Sequence, residues 1–311
     1  MRKPYQMKKK GNRGSKRDNL ELLLLCTPGL LKVFIFSYIP FIWLMIAFQF
    51  YIPRRGLLGS KWVGFENFNF LLKSSTASTL ITNAVAINIL GIVFGTIFSV
   101  ILGLFLYEIT KKIMLKVSQT VVIFPYFVSW PLVGVLVMSF LSDRTGMITN
   151  IIKSLFGTEI DPYSDPNLWW GIITFCSVWK TAGLSAVTYY AVLMTNDKTL
   201  YEAAEIDGAS RFRTLWHIAL PSLKLMIILN VIMSSANVLR CDFNMIYYVT
   251  NNSAALYDKT DVIETYIFRA LRTDGDYSIS TAVGLLQAFV GFVLTLIVNR
   301  VCKKISKESL F

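Results

Sequence analysis

Several apolar runs longer than about 18 residues decide what this chain can become, because a helix of that length crosses a bilayer's hydrocarbon core while satisfying its own backbone. Charged residues make up only 16% of the 311 positions, against about a quarter in soluble domains. The chain therefore reads as one all-α polytopic membrane domain. About six spans are expected, at 22–48, 80–107, 119–141, 168–195, 217–240 and 281–302. Pro28 and Pro40 fall in the first, where neighbouring helices must re-satisfy freed backbone groups. In the second, Gly91, Gly95 and Gly103 have the spacing of close helix packing, and Gly91 with Gly95 reads as a helix-contact face.

The connecting loops decide orientation. With the N-terminus inside, the cytoplasmic segments hold eighteen Lys and Arg residues and the outer segments ten. This excess favours both termini inside. Residues 1–20, with Lys8, Lys9 and Lys10, read as an uncleaved basic tail suited to an anionic lipid surface, and 21–311 as the membrane domain. The +12 net charge then reflects topology rather than nucleic-acid binding. On the outer side, Trp62, Phe65, Phe68 and Phe70 form an expected interfacial aromatic belt. Residues 255–272 alternate acids with Leu256, Val262, Tyr266, Ile267 and Leu271, which reads as an amphipathic segment on the outer surface, facing either a soluble partner or lipid.

Catalytic chemistry is poorly provided for. Cys26, Cys176, Cys241 and Cys302 have no metal-like spacing, and a single histidine, His217, builds neither a metal site nor a relay. No Gly-Lys dipeptide occurs, so there is no phosphate-cradling loop. The chain reads as a non-enzyme that binds no cofactor itself.

One polar stretch between apolar segments stands apart. Thr199 and Glu202 have capping-box spacing, predicting a helix start there. Ala203, Ala204, Gly208 and Ala209 give that helix small faces open to close approach. Phe212, Leu215, Trp216 and Ala219 then follow at i, i+3, i+4 and i+7, one apolar face of a second helix. The full pattern is Glu202-Ala203-Ala204, three residues, Gly208, nine residues, then Ile218-x-Leu220-Pro221, with Asp207 and Ala209 flanking the glycine.

This pattern resembles the cytoplasmic signature loop of membrane-spanning permease subunits of binding-protein-dependent ABC importers. Trp62-Val-Gly-Phe-Glu-Asn-Phe68, Phe124-Pro-Tyr-Phe-Val-Ser-Trp130, Gly146-Met-Ile-Thr-Asn150, Asp261-Val-Ile-Glu-Thr-Tyr266 and Ser280-Thr-Ala-Val-Gly-Leu285 narrow it to the multiple-sugar and oligosaccharide permeases of the LplB-like group. The resemblance implies a type I importer fold in a bacterial cytoplasmic membrane. It also implies a second, homologous permease, two ATPase subunits that bind ATP and Mg, and an extracytoplasmic sugar-binding lipoprotein. The loop at 196–221 would then couple ATPase closure to alternating access. In it, Glu202 and Asp207 would meet basic residues of an ATPase groove, and Arg211 and Arg213 acidic ones. One departure occurs: where many relatives continue with Gly-Gly-Pro after the Asp242–Thr250 stretch, this chain has Asn251-Asn252-Ser253.

Polar groups at membrane depth are the candidates for a solute path, because leaving them in lipid is costly. They are Lys180, Asn230, Asn237, Asp242, Asn244 and Gln287, with Trp179, Tyr189, Tyr190 and Tyr247 as stacking surfaces. Each can equally serve as an interhelical hydrogen bond or packing ring. The region 237–247 is the preferred lining by family position. Rival readings are a permease for a non-sugar solute, a secondary transporter, and a membrane-bound transferase. The second needs ion-coupled acids within spans, and no Asp or Glu falls inside the six apart from edge positions.

Overall fold

The computed structural model describes residues 16–142, 146–157 and 160–306. Within them the chain is a helical assembly with one two-residue ladder, Gln49–Phe50 against Lys61–Trp62. Helix α1 (Lys16–Val33) continues through a π turn and a 3-10 run, so that Glu21–Phe48 forms one apolar rod. Pro28 lies inside α1, and Pro40 opens the 3-10 run, where a missing N–H is least disruptive. The tail predicted at 1–20 lies outside the described residues up to position 15, and 16–20 already belong to α1.

The body is built around two long helices. Helix α2 (Ser75–Glu108) is capped by Ser74, whose Oγ accepts from Ala77 N at 3.3 Å. It packs along α5 (Trp169–Leu193) in the most extensive helix–helix contact of the chain. Gly103 makes that contact possible: a Cβ there would lie 2.9 Å from Tyr189 Cβ. On the other face of α5, a Cβ at Gly183 would collide with the carbonyl of Val122 in α3 (Lys112–Ile123). The expectation for Gly91 and Gly95 is not met. A Cβ at either would meet no atom within 4 Å, so neither is a helix-contact face within this chain.

Two of the expected spans are bent. The one at 119–141 is instead α3 extended to Phe127, followed by α4 (Trp130–Leu141) at 92°. Pro125 and Pro131 begin the two successive turns, and Ser129 between them is extended, so the α3 ladder cannot run on. The span at 217–240 bends by 53° between Arg211–Ser222 and α8 (Lys224–Ser235), at fully buried Leu223. By length and composition, three helices among the described residues qualify as spans, or up to five with the bent pairs. Helix α5 is also long enough at about 1.5 Å per residue, but it carries Lys180 and a polar face.

The outer expectations divide. Trp62, Phe65 and Phe68 gather around Phe48 with ring centroids 5.3–5.7 Å apart, and Trp62 and Phe65 remain exposed as a belt requires; Phe70's side chain lies outside the described residues. Residues 255–272 lie only partly on the surface: Ala255, Asp258, Leu271 and Arg272 are exposed, whereas Leu256 and 260–263 are buried. Leu256 and Val262 are fully buried, and Asp261 is buried with Arg269 of α10 (Ile263–Arg269), whose Nη1 donates to Oδ1 at 2.8 Å. Of the acids in this stretch, Asp261 thus serves an ion pair set among core side chains, and Glu264 accepts from Cys241 N and Gln287 Nε2. Helix α11 (Tyr277–Ser306) closes the chain and packs against the 39–48 stretch. Among the described residues Cys176 and Cys241 are buried and Cys26 is exposed, all as free thiols.

Candidate coupling loop and solute cleft

The coupling loop begins where α5 ends. Helix α6 (Lys198–Ile206) is capped by Asp197, whose carboxylate accepts from Thr199 N at 3.0 Å. The cap is therefore two residues upstream of the expected Thr199–Glu202 box, because Asp197 reaches the free N–H groups first. That backbone hydrogen bond holds the Asp197 carboxyl below its usual range. Gly208 follows with φ +72°, and a Cβ there would meet no atom within 4 Å. Its requirement is backbone conformation, since φ > 0 strains residues with a Cβ.

After Gly208 the chain re-enters helix at α7 (Arg211–Thr214), capped by Ser210 Oγ. A π turn over Leu215–Ala219 follows. The extra residue in that turn splits the apolar face expected at 212, 215, 216 and 219. Ala219 is fully buried, whereas Phe212 and Trp216 stay exposed and stack at 6.2 Å. His217 Nδ1 lies 3.0 Å from the Arg213 carbonyl, a local structural contact.

The loop is braced against the body by polar contacts. Asn196 Nδ2 donates to Tyr201 OH at 3.1 Å and to Ser222 Oγ at 2.7 Å, and the Tyr201 ring meets Tyr107 at 5.6 Å. Arg211 approaches Glu108 at 3.9 Å with both partners solvated, a weak pair. Outward from this brace, Glu202, Ala203, Asp207, Gly208, Arg211 and Pro221 are exposed, and Ala204, Ala209, Ile218 and Leu220 are half-buried. Ile206 is 86% exposed. An apolar side chain so presented beside small residues is a natural anchor for a partner's groove. The sequence reading passed over it because Ile206 looks like an ordinary helix residue.

A polar cleft of about 370 Å³ opens between α2, α5 and α8. Tyr189, Asn230 and Asn237 line it, and Asn230 Nδ2 donates to the Tyr189 hydroxyl at 3.1 Å. The rest of the lining was not singled out from the sequence. Helix α2 contributes Asn88, Thr96 and Ser99 with Gly91 and Gly95 between them, α5 contributes Ser177, Thr181 and Ser185, and α8 Ser234. The signal was available: 177, 181, 185 and 189 step by four, one stripe of a helix. Small hydroxyls in a span are usually packing residues, so by sequence this stripe is masked by larger polar groups.

The remaining candidates fall elsewhere. Lys180 Nζ donates to the carbonyls of Tyr126, at 2.7 Å, and Val128, and sits 5.2 Å from the Trp130 ring centroid. It therefore satisfies backbone groups freed at the α3–α4 bend. Asp242 caps α9 (Phe243–Val249) through Asn244 N and Met245 N, and its Oδ2 accepts from Trp130 Nε1 at 2.7 Å. Asn244 is exposed outside the cleft, and Tyr247 packs against Phe243 and Phe268 at 5.1 and 5.3 Å. Trp179 lines an apolar groove, and Tyr190 is not among the cleft's lining residues. Gln287 Nε2 donates to Leu239 O and to Glu264 Oε1, at 2.9 and 2.8 Å, beside a second cavity of about 540 Å³. Of the preferred 237–247 region, only Asn237 and Met245 reach the cleft. The Asn251-Asn252 departure keeps the backbone that glycines would adopt, with φ +52° and +47°.

Comparison with known proteins fits this architecture. Residues 95–307 match the family described as binding-protein-dependent transport system inner membrane component. The chain is 37% identical to protein LplB of Bacillus subtilis over 95% of its own length and 92% of the relative's. It is 32% identical to the Bacillus subtilis polygalacturonan/rhamnogalacturonan transport system permease protein YteP, covering 93% of this chain and 90% of that one. Its structure resembles a subunit of a bacterial ABC transporter involved in import of the acidic polysaccharide alginate, with a TM-score of 0.82 and 31% identity over 93% of this chain and 97% of that one. It also resembles a subunit of a bacterial alginate ABC transporter solved in complex with alginate pentasaccharide-bound periplasmic protein, with a TM-score of 0.82 and 30% identity over 95% of this chain and 98% of that one. With its broken spans, long α2–α5 pair and braced helix–glycine–helix loop, the chain belongs to the inner membrane components of binding-protein-dependent transport systems.

Proposed function

We propose that this chain is one of two homologous membrane-spanning subunits of an ATP-driven importer for oligosaccharides in a bacterial cytoplasmic membrane. Support comes from relatives whose names denote saccharide transport and from the polar cleft at membrane depth. The observation that carries the coupling role is the exposed α6–Gly208–α7 step, held rigidly at its base by Asn196 and presenting Ile206 outward. Both termini face the cytoplasm, with the basic tail at 1–20 and the membrane domain at 21–311. Two partner ATPase subunits bind ATP and Mg and hydrolyse it. An extracytoplasmic sugar-binding lipoprotein delivers the solute.

In this mechanism α6 lies in a groove of the ATPase, where Ala203 and Ala204 permit close approach. Closing of the two ATPases moves the loop, and the Asn196–Ser222 and Tyr201–Tyr107 contacts pass that motion to α8 and α2. Access to the cleft then alternates between the two sides as rigid elements rock. Purified alone, the chain should hydrolyse no ATP above background; co-purified with its ATPase, second permease and binding protein, it should show saccharide-stimulated hydrolysis. Hydrolysis by the isolated chain would overturn the assignment.

A further inference from the structure

We propose that the cleft between α2, α5 and α8 selects an uncharged, hydroxyl-rich saccharide and rejects carboxylate-bearing ones. This inference rests on the reading of the chain as a sugar permease. It separates the chain from structural relatives that carry an acidic polysaccharide. No Asp, Glu, Lys, Arg or His is among the described residues lining the cleft.

The charged groups nearest in sequence are engaged elsewhere. Lys180 directly precedes cleft-lining Thr181, but its ammonium donates to the Tyr126 and Val128 carbonyls. The Asp242 carboxylate caps α9 and holds Trp130. Arg240 lines the neighbouring cavity, as does Glu264.

The cleft's amides also have a direction. Asn88 Nδ2 donates to Ala84 O at 2.9 Å and Val238 O at 3.0 Å. Asn230 Nδ2 donates to Tyr189 OH at 3.1 Å, and Asn237 Nδ2 approaches Met233 O at 3.5 Å. The Thr181 hydroxyl donates to Ser177 O at 2.8 Å. In all three asparagines the donor end faces protein, and among the described residues no group donates to their Oδ1 atoms. A lining biased toward acceptors pairs with sugar hydroxyls, which donate. A carboxylate only accepts, and although the lining hydroxyls can donate to it, no cation among the described lining residues offsets its charge once its water is shed.

The test uses the complete transporter in liposomes, supplied with a panel of neutral oligosaccharides and their uronate counterparts of equal length. Uptake of the preferred neutral sugar should exceed its uronate counterpart by at least about tenfold, as expected for an uncompensated charge at membrane depth. Ser234→Arg and Asn237→Arg, each adding a cation to the cleft, should narrow that ratio, while Asn244→Arg outside it should not. Equal or faster uronate uptake by the wild type overturns the proposal. So does an unchanged ratio in both assembled cleft variants, because selection would then lie outside the cleft. If an assembled complex moves no saccharide of either kind, the sugar-permease reading itself falls.

Discussion

Asn196 Nδ2 donates to Ser222 Oγ at 2.7 Å, joining the two ends of the coupling loop across 26 residues. The same amide reaches Tyr201 OH, and Ser222 Oγ donates on to Ala219 O at 2.7 Å. The loop is thus a braced projection whose movement must carry the start of α8 with it.

Breaking this brace should uncouple the transporter without unfolding it. Asn196→Ala removes two side-chain hydrogen bonds in a partly solvated setting, a loss of about 1–2 kcal/mol. The complex should assemble and hydrolyse ATP, while uptake per ATP falls severalfold. Parallel measurement of hydrolysis and uptake in proteoliposomes checks this, and an unchanged ratio would remove the transmission role from Asn196.

Gly208 separates conformation from contact. Its φ of +72° costs a residue with a Cβ about 1–2 kcal/mol, less for asparagine, which tolerates that region. Since a Cβ meets no atom of this chain, Gly208→Asn should fold normally, and Gly208→Glu should insert yet fail to recruit the ATPase. Pull-down of the ATPase reads the difference. Full recruitment by Gly208→Glu would falsify the docking role.

The cap of α6 carries a pH signature. Asp197 accepts from Thr199 N, and its carboxyl is held below the usual range by that bond. A depressed folded value means the cap's contribution is present above the ordinary aspartate pKa and lost as pH falls through the folded one. Asp197→Ala should fray the first turn of α6 near neutrality, and Asp197→Ser should restore most of its protection. Hydrogen exchange of the first-turn amides measures this, and the difference between wild type and Asp197→Ala should close at strongly acid pH.

Lys180 holds the bend between α3 and α4. Lys180→Met fills similar space but leaves the Tyr126 and Val128 carbonyls without that donor, at a cost of about 1–3 kcal/mol. The purified protein should melt several degrees lower, with the loss seen equally with and without solute. An unchanged melting temperature together with a changed solute preference would reassign Lys180 to the transport path.

Hydropathy and motif spacing were enough to identify a polytopic helical membrane chain and the Glu202–Pro221 loop with its glycine, since both depend on residues close together in sequence. Bilayer thickness sets the length of a span, and a left-handed residue between two short helices favours glycine. Tertiary structure decided what lies between. Only packing could bury Leu256 and Val262 around the Asp261–Arg269 pair and leave Gly91 and Gly95 facing a cleft instead of a helix. It also engaged Lys180 and Asp242 in bracing a bend and a cap, and it assembled small hydroxyls from α2, α5 and α8 into a polar surface. The reason is that a polar group's role in a membrane depends on which partner's donors and acceptors meet it, and those partners can lie far off in sequence, as Asn88 and Val238 do at 150 residues apart.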